Sequence, residues 1–176
     1  MDLFETIEKR YSYRGEFTDA PVPDADLRRM LQAALQAPSG LNGQTSGFVA
    51  VKDPGLRRAL AEIFPHRGIA TAPVVIVALS CRKEMYAGVA FEDQDYAAGV
   101  ENLLLAVTAL GYATVWTDGQ TMDDHRPEKI AKLLNVPARY RVRALLPVGV
   151  PKEPGHQKEK QPFEQRVQID AFPANP

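Results

Sequence analysis

The sequence predicts one α+β domain, layered in the α/β manner, followed by an extended C-terminal arm. Three observations carry this. Apolar residues at helical spacing recur between short β-rich runs. One of those runs, Val74 to Leu79, is apolar throughout and reads as a strand buried on both faces. After residue 150 the chain turns rich in Pro, Gln and charge, so residues 151–176 cannot bury much of themselves.

Residues 2–10 read as a helix, with Asp2 as its cap, Glu5 completing a capping-box-like pair, and Leu3, Phe4 and Ile7 on one face. A loop with two prolines follows. Asp24 or Asp26 then starts a second helix running from Leu27 to Ala37, which Pro38 ends. Gly47–Val51 is a short strand stopped by Asp53-Pro54-Gly55, and Leu56–Phe64 is a helix. Pro73 opens the strand Val74–Leu79.

Asp93–Leu110 is the most strongly patterned element. Tyr96, Val100, Leu103, Val107 and Leu110 form one stripe, and Ala97, Ala98, Leu104, Leu105, Ala106 and Ala109 fill much of the rest. A helix apolar on nearly all sides is buried on nearly all sides, and one small sheet covers only part of it. A second subunit is therefore expected over the remainder, the alternative being a central helix buried within a monomer. Gly111 caps this helix. A strand over Tyr112–Thr117, a turn at Asp118-Gly119, a short helix Pro127–Leu134 and a β-rich segment Tyr140–Val150 complete about four strands and five helices.

At 176 residues the chain supports one well-buried core. A formal net charge of −1 gives no electrostatic case for nucleic acid or for an anionic membrane surface. No stretch approaches the roughly 20 apolar residues of a membrane span, and Met1–Glu5 does not read as a secretory signal. The single cysteine, Cys81, allows no intrachain disulfide and fits a cytoplasmic protein. It reads as a structural thiol at a strand end. His66, His125 and His156 are scattered singly and read as surface residues, so no metal site is expected.

Two stretches carry chemistry. Arg10-Tyr11-Ser12-Tyr13-Arg14 offers two guanidinium forks and a hydroxyl at the end of the first helix, a set that suits a phosphate. An Arg pair there also suits a solvated, dipole-complementing helix end. Ala37-Pro38-Ser39-Gly40-Leu41-Asn42-Gly43-Gln44 is a small-residue loop bearing two amides. It suits a planar heterocycle approached closely by backbone, or simply a helix stop. Together they suggest a phosphorylated, ring-bearing cofactor such as a flavin. The chain has no Gly-x-Gly-x-x-Gly run, the fingerprint of a Rossmann-type dinucleotide site. No nucleophile or acid/base dyad stands out, so no catalytic side chain is assigned.

Taken in order, these segments resemble the nitroreductase family of FMN-dependent oxidoreductases. Arg10–Phe17 resembles its R-R-S-x-R-x-F opening. Ala33-Ala34 with Ala37–Gln44 resembles A-x-x-A-P-S-x-x-N-x-Q. Ala72–Val77 resembles its A-P-hydrophobic strand, Glu101–Tyr112 with Trp116 its N-L-x-L-A-A-x-x-L-G-x-x-x-x-W, and Leu146–Pro151 its x-x-x-G-x-P strand. The likeness spans Leu3 to about Val167.

The resemblance implies a nitroreductase-like FMN-binding fold: a central, mainly antiparallel sheet flanked by helices. It implies a homodimer with FMN at the interface, and an arm (151–176) wrapping the partner of a domain spanning 1–150. By the same likeness, Arg10, Tyr11, Ser12 and Arg14 hold the phosphate and ribityl chain, with Lys158 and Lys160 finishing the phosphate site. Pro38, Ser39, Gly40, Asn42 and Gln44 reach the ring from the partner subunit, and Thr117, Asp118 and Gly119 lay backbone against it. Tyr86 and Phe91, near the pocket mouth, are candidate substrate stackers, or partial packing. The chain departs from the family at Thr45-Ser46, where Pro-Trp is usual, at Tyr11 and at Lys160.

The implied reaction is ping-pong. NAD(P)H gives hydride to flavin N5, then an electron-poor acceptor such as a nitroaromatic or quinone is reduced. Three alternatives stay open. One is the same scaffold with different chemistry, such as reductive dehalogenation or flavin breakdown. Another is a non-enzymatic FMN carrier or sensor. The third is a flavin-free domain in which the Arg pair binds another phosphate.

Overall fold

A computed structural model describes residues 1–172. The expected arm runs to residue 176, so its last four positions, 173–176, lie outside the described residues.

Asp2 caps α1 (Leu3–Lys9) through its carboxylate, which accepts the Glu5 N–H at 2.9 Å. The second helix, α2 (Asp24–Leu35), begins after Pro23 without a side-chain cap. Asp24 is thus its first residue rather than its cap. It ends at Leu35 instead of reaching Ala37, because the residue before a proline is pushed out of the helical region. Strand β1 (Ser46–Val51) leads to α3 (Pro54–Ile63), capped by Asp53 with proline at the first turn. A helix that no sequence pattern signals, α4 (Arg67–Thr71), is capped by the His66 imidazole, which accepts the Gly68 N–H at 3.1 Å. Next come β2 (Val74–Cys81), a small hairpin of β3 (Glu84–Tyr86) and β4 (Val89–Ala90), and the long helix α5 (Glu92–Ala109). After α6 (Arg126–Leu133), β5 (Tyr140–Val148) completes the sheet and a four-residue helix, α7 (Phe163–Arg166), lies in the arm.

The main sheet has the order β1-β2-β5 and is antiparallel, with β2 in the centre as its continuous apolar run requires. Val74, Ile76 and Ala78 face one core beneath α2 and α5. Val75, Val77 and Leu79 face a second core with Leu60, Ile69 and Ile130 from α3, α4 and α6. The expected strand at Tyr112–Thr117 is instead a run of separate bridges. Ala113 pairs with Gly149, Ser12 with Thr114 and Thr117 with Leu145. Its partners change along its length, so no continuous ladder forms. The described residues thus hold five strands and seven α-helices, against the four and five expected.

A bulge interrupts β5. Leu79 pairs with Val142 but Ala78 pairs with Ala144, so Arg143 is the extra residue. The slip turns Val142 to the second core while Ala144, Leu146 and Val148 stay on the first. It leaves Arg143 over the Tyr96 ring, 4.7 Å from its centroid, and 2.5 Å from the Asp93 carboxylate.

Helix α5 is apolar but not wholly covered. Val100, Leu103 and Val107 are buried, whereas Glu101 and Ala109 are exposed and Asn102, Leu105 and Ala106 partly so. Those last three line an apolar groove with Leu3, Thr6 and Ala33. Gly111 ends the helix in the left-handed region at φ +85°, the conformation that glycine tolerates best.

Candidate functional site

The Arg10–Arg14 segment leaves α1 extended. Ser12 bridges to Thr114, and the Tyr13 N–H donates to the Thr114 carbonyl at 2.8 Å. Facing it is the first part of the arm. Gln157 donates from its amide to the Arg10 carbonyl at 2.8 Å and to Ile7 at 3.1 Å. Lys152 pairs with Glu16 at 2.8 Å, which holds the Glu16 carboxyl below its usual range. Between these two ties the chain passes Tyr11 so closely that a Cβ on Gly155 would lie 2.2 Å from the ring. Burial, then the neighbouring Tyr13, raises the Tyr11 phenol above its ordinary value.

The result is a pocket of about 350 Å³ lined by Arg10, Ser12, Arg14, Gly155, Lys158 and Lys160 among others. Arg10 has one carboxylate near it, Glu101 at 3.8 Å. Among the described residues no ion pair engages Arg14, Lys158 or Lys160. Four cationic side chains around one small cavity are arranged for a multiply charged anion.

Arg14 is also a wall of a second, adjoining pocket of about 470 Å³, formed with His66 and the run Val115–Gln120. Thr117 turns its hydroxyl inward to the Leu145 carbonyl at 2.6 Å, while Asp118 and Gly119 stay exposed. The Trp116 Nε1 is buried without a hydrogen-bond partner among the described residues. His66 is not the surface residue its isolation in sequence implies. It is half-buried, and burial followed by the Arg14 guanidinium holds its imidazole below the ordinary value. Nothing local in the sequence marks it, because the pocket forms only when α4 meets the Trp116 segment.

The amide loop sits elsewhere. Ser39 to Gln44 forms a tight turn in which Leu41, Asn42 and Gln44 all take positive φ, of 48°, 54° and 50°. Each such non-glycine residue costs on the order of 1 kcal/mol, Asn least. Asn42 and Gln44 are exposed. Asp95, 3% exposed in the first turn of α5, accepts the Gly40 N–H at 2.8 Å and the Thr45 hydroxyl at 2.6 Å. Phe91 is packed over Gly40, where a Cβ would lie 2.4 Å from its ring. Pro38, Ser39, Gly40, Phe91 and Asp95 share a shallow pocket of about 250 Å³. Tyr86, 70% exposed, stands on the adjacent hairpin, whose Met85 reaches toward Gly43.

The pocket at Gly40 has no lining residue in common with those at Arg14. Helix α5 separates them. Glu101 meets Arg10 and Asp95 meets Gly40, six residues apart, which is about 9 Å along the axis and about 120° around it.

A cationic cradle beside a pocket walled by Trp116–Gly119, with an outward amide loop on the far side of α5, has the chemistry that suits a phosphorylated planar cofactor. The sequence signature of the nitroreductase family matches residues 7–67 and 64–150. A protein of Methanothermobacter thermautotrophicus described as a NADH dehydrogenase/NAD(P)H nitroreductase is 30% identical over 154 residues, covering 87% of this chain and 79% of that one. A NADH dehydrogenase of Thermus thermophilus is 30% identical over 198 residues, 95% of each chain. Among solved structures, a protein of Desulfovibrio desulfuricans described as a nitroreductase, in complex with FMN, superposes with a TM-score of 0.81. It is 29% identical over 98% of this chain and 99% of that one. The chain belongs to the nitroreductase family, and its fold is the nitroreductase fold.

Proposed function

We propose that the chain is an NAD(P)H-dependent flavin oxidoreductase that binds FMN across a homodimer and reduces electron-poor small molecules. Family membership, NAD(P)H in a relative's name and FMN in a neighbour's complex support the class. The observation that carries the reading in this chain is Arg14, shared between the cationic pocket and the Trp116–Gly119 pocket. Two adjoining cavities, one for an anion and one for a flat body, suit a ring joined to a phosphate by a short chain.

The residues fit FMN. Arg10, Arg14, Lys158 and Lys160 would neutralise the phosphate, and Ser12 would serve the adjoining chain. Asn42 and Gln44 offer amides to the ring edge, and Asp118-Gly119 is an exposed turn whose Gly119 N–H donates to the Asp118 carboxylate at 2.7 Å. FMN, when bound, supplies the redox chemistry, taking electrons from NAD(P)H and passing them to an acceptor such as a nitroaromatic or quinone. The protein positions the ring and excludes water. Tyr86, exposed beside the amide loop, suits stacking on an aromatic guest.

The dimer reading rests on surface that one chain leaves uncovered. Leu3, Phe4 and Ile7 on α1, with Leu35 and Leu41, are exposed, and the apolar groove between α1, α2 and α5 continues them. A second copy would cover this face and set its Asn42–Gln44 loop against the first copy's Arg14 pocket. Phe163, Val167 and Ile169 in the arm are exposed on their own chain, as suits a segment that lies on a partner. Truncation after Val150 is expected to lower both dimer mass and flavin content.

The deciding experiment is the visible spectrum of purified protein, before and after anaerobic NADH or NADPH. Flavin bands that bleach support the reductase. Bands that persist with both donors favour a carrier or sensor, and no bands after soaking in FMN overturn the reading.

A further inference from the structure

Asp95 is a buried carboxylate that no ion pair engages among the described residues. It spends both oxygens on one loop, taking the Gly40 N–H at one end and the Thr45 hydroxyl at the other. Between those two points lie the three residues with positive φ. A loop held so far from its relaxed backbone stays in place only if its ends are fixed. Asp95 itself is fixed by the first turn of α5, which is tied at three points. Asp93 meets Arg143 at the β5 bulge, Glu92 lies 3.5 Å from Arg82 before the hairpin, and Phe91 covers Gly40. The turn's free N–H groups also favour a negative charge there.

We propose that Asp95 is a positioning residue for the cofactor ring. Its carboxylate locks the Gly40–Thr45 turn so that Asn42 and Gln44 face outward in fixed directions, and it acts only through them. The assignment rests on the reading that this loop meets FMN. It also gives Thr45 a role: where the family usually has proline, this chain places a hydroxyl that donates to Asp95.

The test is FMN affinity in the full-length protein, followed by flavin fluorescence, with visible circular dichroism as a reporter of the ring's surroundings. Asp95→Ala is expected to weaken FMN about tenfold or more and alter the dichroism. Asp95→Asn keeps an acceptor for Gly40 and can donate to Thr45, so it is expected to recover most of the affinity. In an Asn42→Ala/Gln44→Ala background, Asp95→Ala is expected to add little, because its route is already cut. Should Asp95→Ala fail to fold, Thr45→Val removes one of the two bonds and is expected to weaken FMN about threefold or more. If the wild type binds FMN and these variants bind as well as it does, or if the effects are additive, the assignment fails alone. If the wild type takes up no FMN, it fails together with the functional reading.

Discussion

Tyr11 and Gly155 meet face to backbone, with no room for a methyl group between them. The contact joins the N-terminal Arg10–Arg14 segment to an arm 144 residues later in sequence. With the Gln157 and Lys152 ties on either side of it, it holds the arm where Lys158 and Lys160 line one pocket with the two arginines.

Gly155→Ala should therefore push the arm off the cradle, since the added Cβ would meet ring atoms at 2.2 to 2.9 Å. FMN affinity is expected to fall about tenfold while the melting temperature barely changes, because none of the arm's described residues belongs to either core. Titration with FMN beside a thermal melt checks both, and a large loss of melting temperature would contradict it.

Arg14→Ala and Arg10→Ala should each cost about ten- to a hundredfold in FMN affinity, the scale of a charge-assisted hydrogen bond. Riboflavin, which lacks the phosphate, separates this from general damage. Its weaker binding is expected to change little in either variant. An equal loss for both ligands would place the arginines away from the phosphate.

Phe4 is 75% exposed on α1. Phe4→Asp should leave the monomer's stability nearly unchanged and weaken dimerisation about a hundredfold, as expected when a central apolar anchor is replaced by charge. Sedimentation equilibrium reads the dissociation constant. A dimer as tight as the wild type would move the interface off this face.

His66 predicts a pH dependence. Its imidazole titrates below the ordinary 6.5 because burial and Arg14 disfavour the cation. Protonation also destroys the acceptor for the Gly68 N–H. Its contribution is therefore complete above about pH 6.5 and is lost as pH falls through the lower folded value. His66→Gln keeps an acceptor but does not titrate. Urea midpoints at about pH 7.5 and about pH 5 should diverge more for the wild type than for the variant.

Much of this was legible in the chain. The apolar run Val74–Leu79 fixed β2 as the central strand because only burial on both faces suits such a run. Asp2 and Gly111 marked helix ends through capping chemistry that acts within four residues, whereas Asp53 and Pro54, read only as a strand stop, also start α3 two residues before the expected Leu56. The Arg10–Arg14 and Pro38–Gln44 stretches stood out because their residue types suit one chemistry in one short span.

Other features depended on what the fold brings together. Asp95 in the first turn of a helix is an ordinary acid until the loop from Gly40 to Thr45 folds over it, so no local pattern marks it. His66 becomes a pocket wall only when α4 meets the Trp116 segment. Arg143 is turned toward Asp93 by a bulge that exists only in the pairing of β2 with β5. Tyr112–Thr117 reads as a strand by composition, yet its carbonyls and N–H groups are shared among three partners. The sequence by itself determined which residues could form helices, a buried strand and a cationic segment, because those follow from short-range periodicity and side-chain chemistry. Only the tertiary structure decided which of them face one another, because hydrogen bonds and burial between residues far apart in the chain are settled by packing.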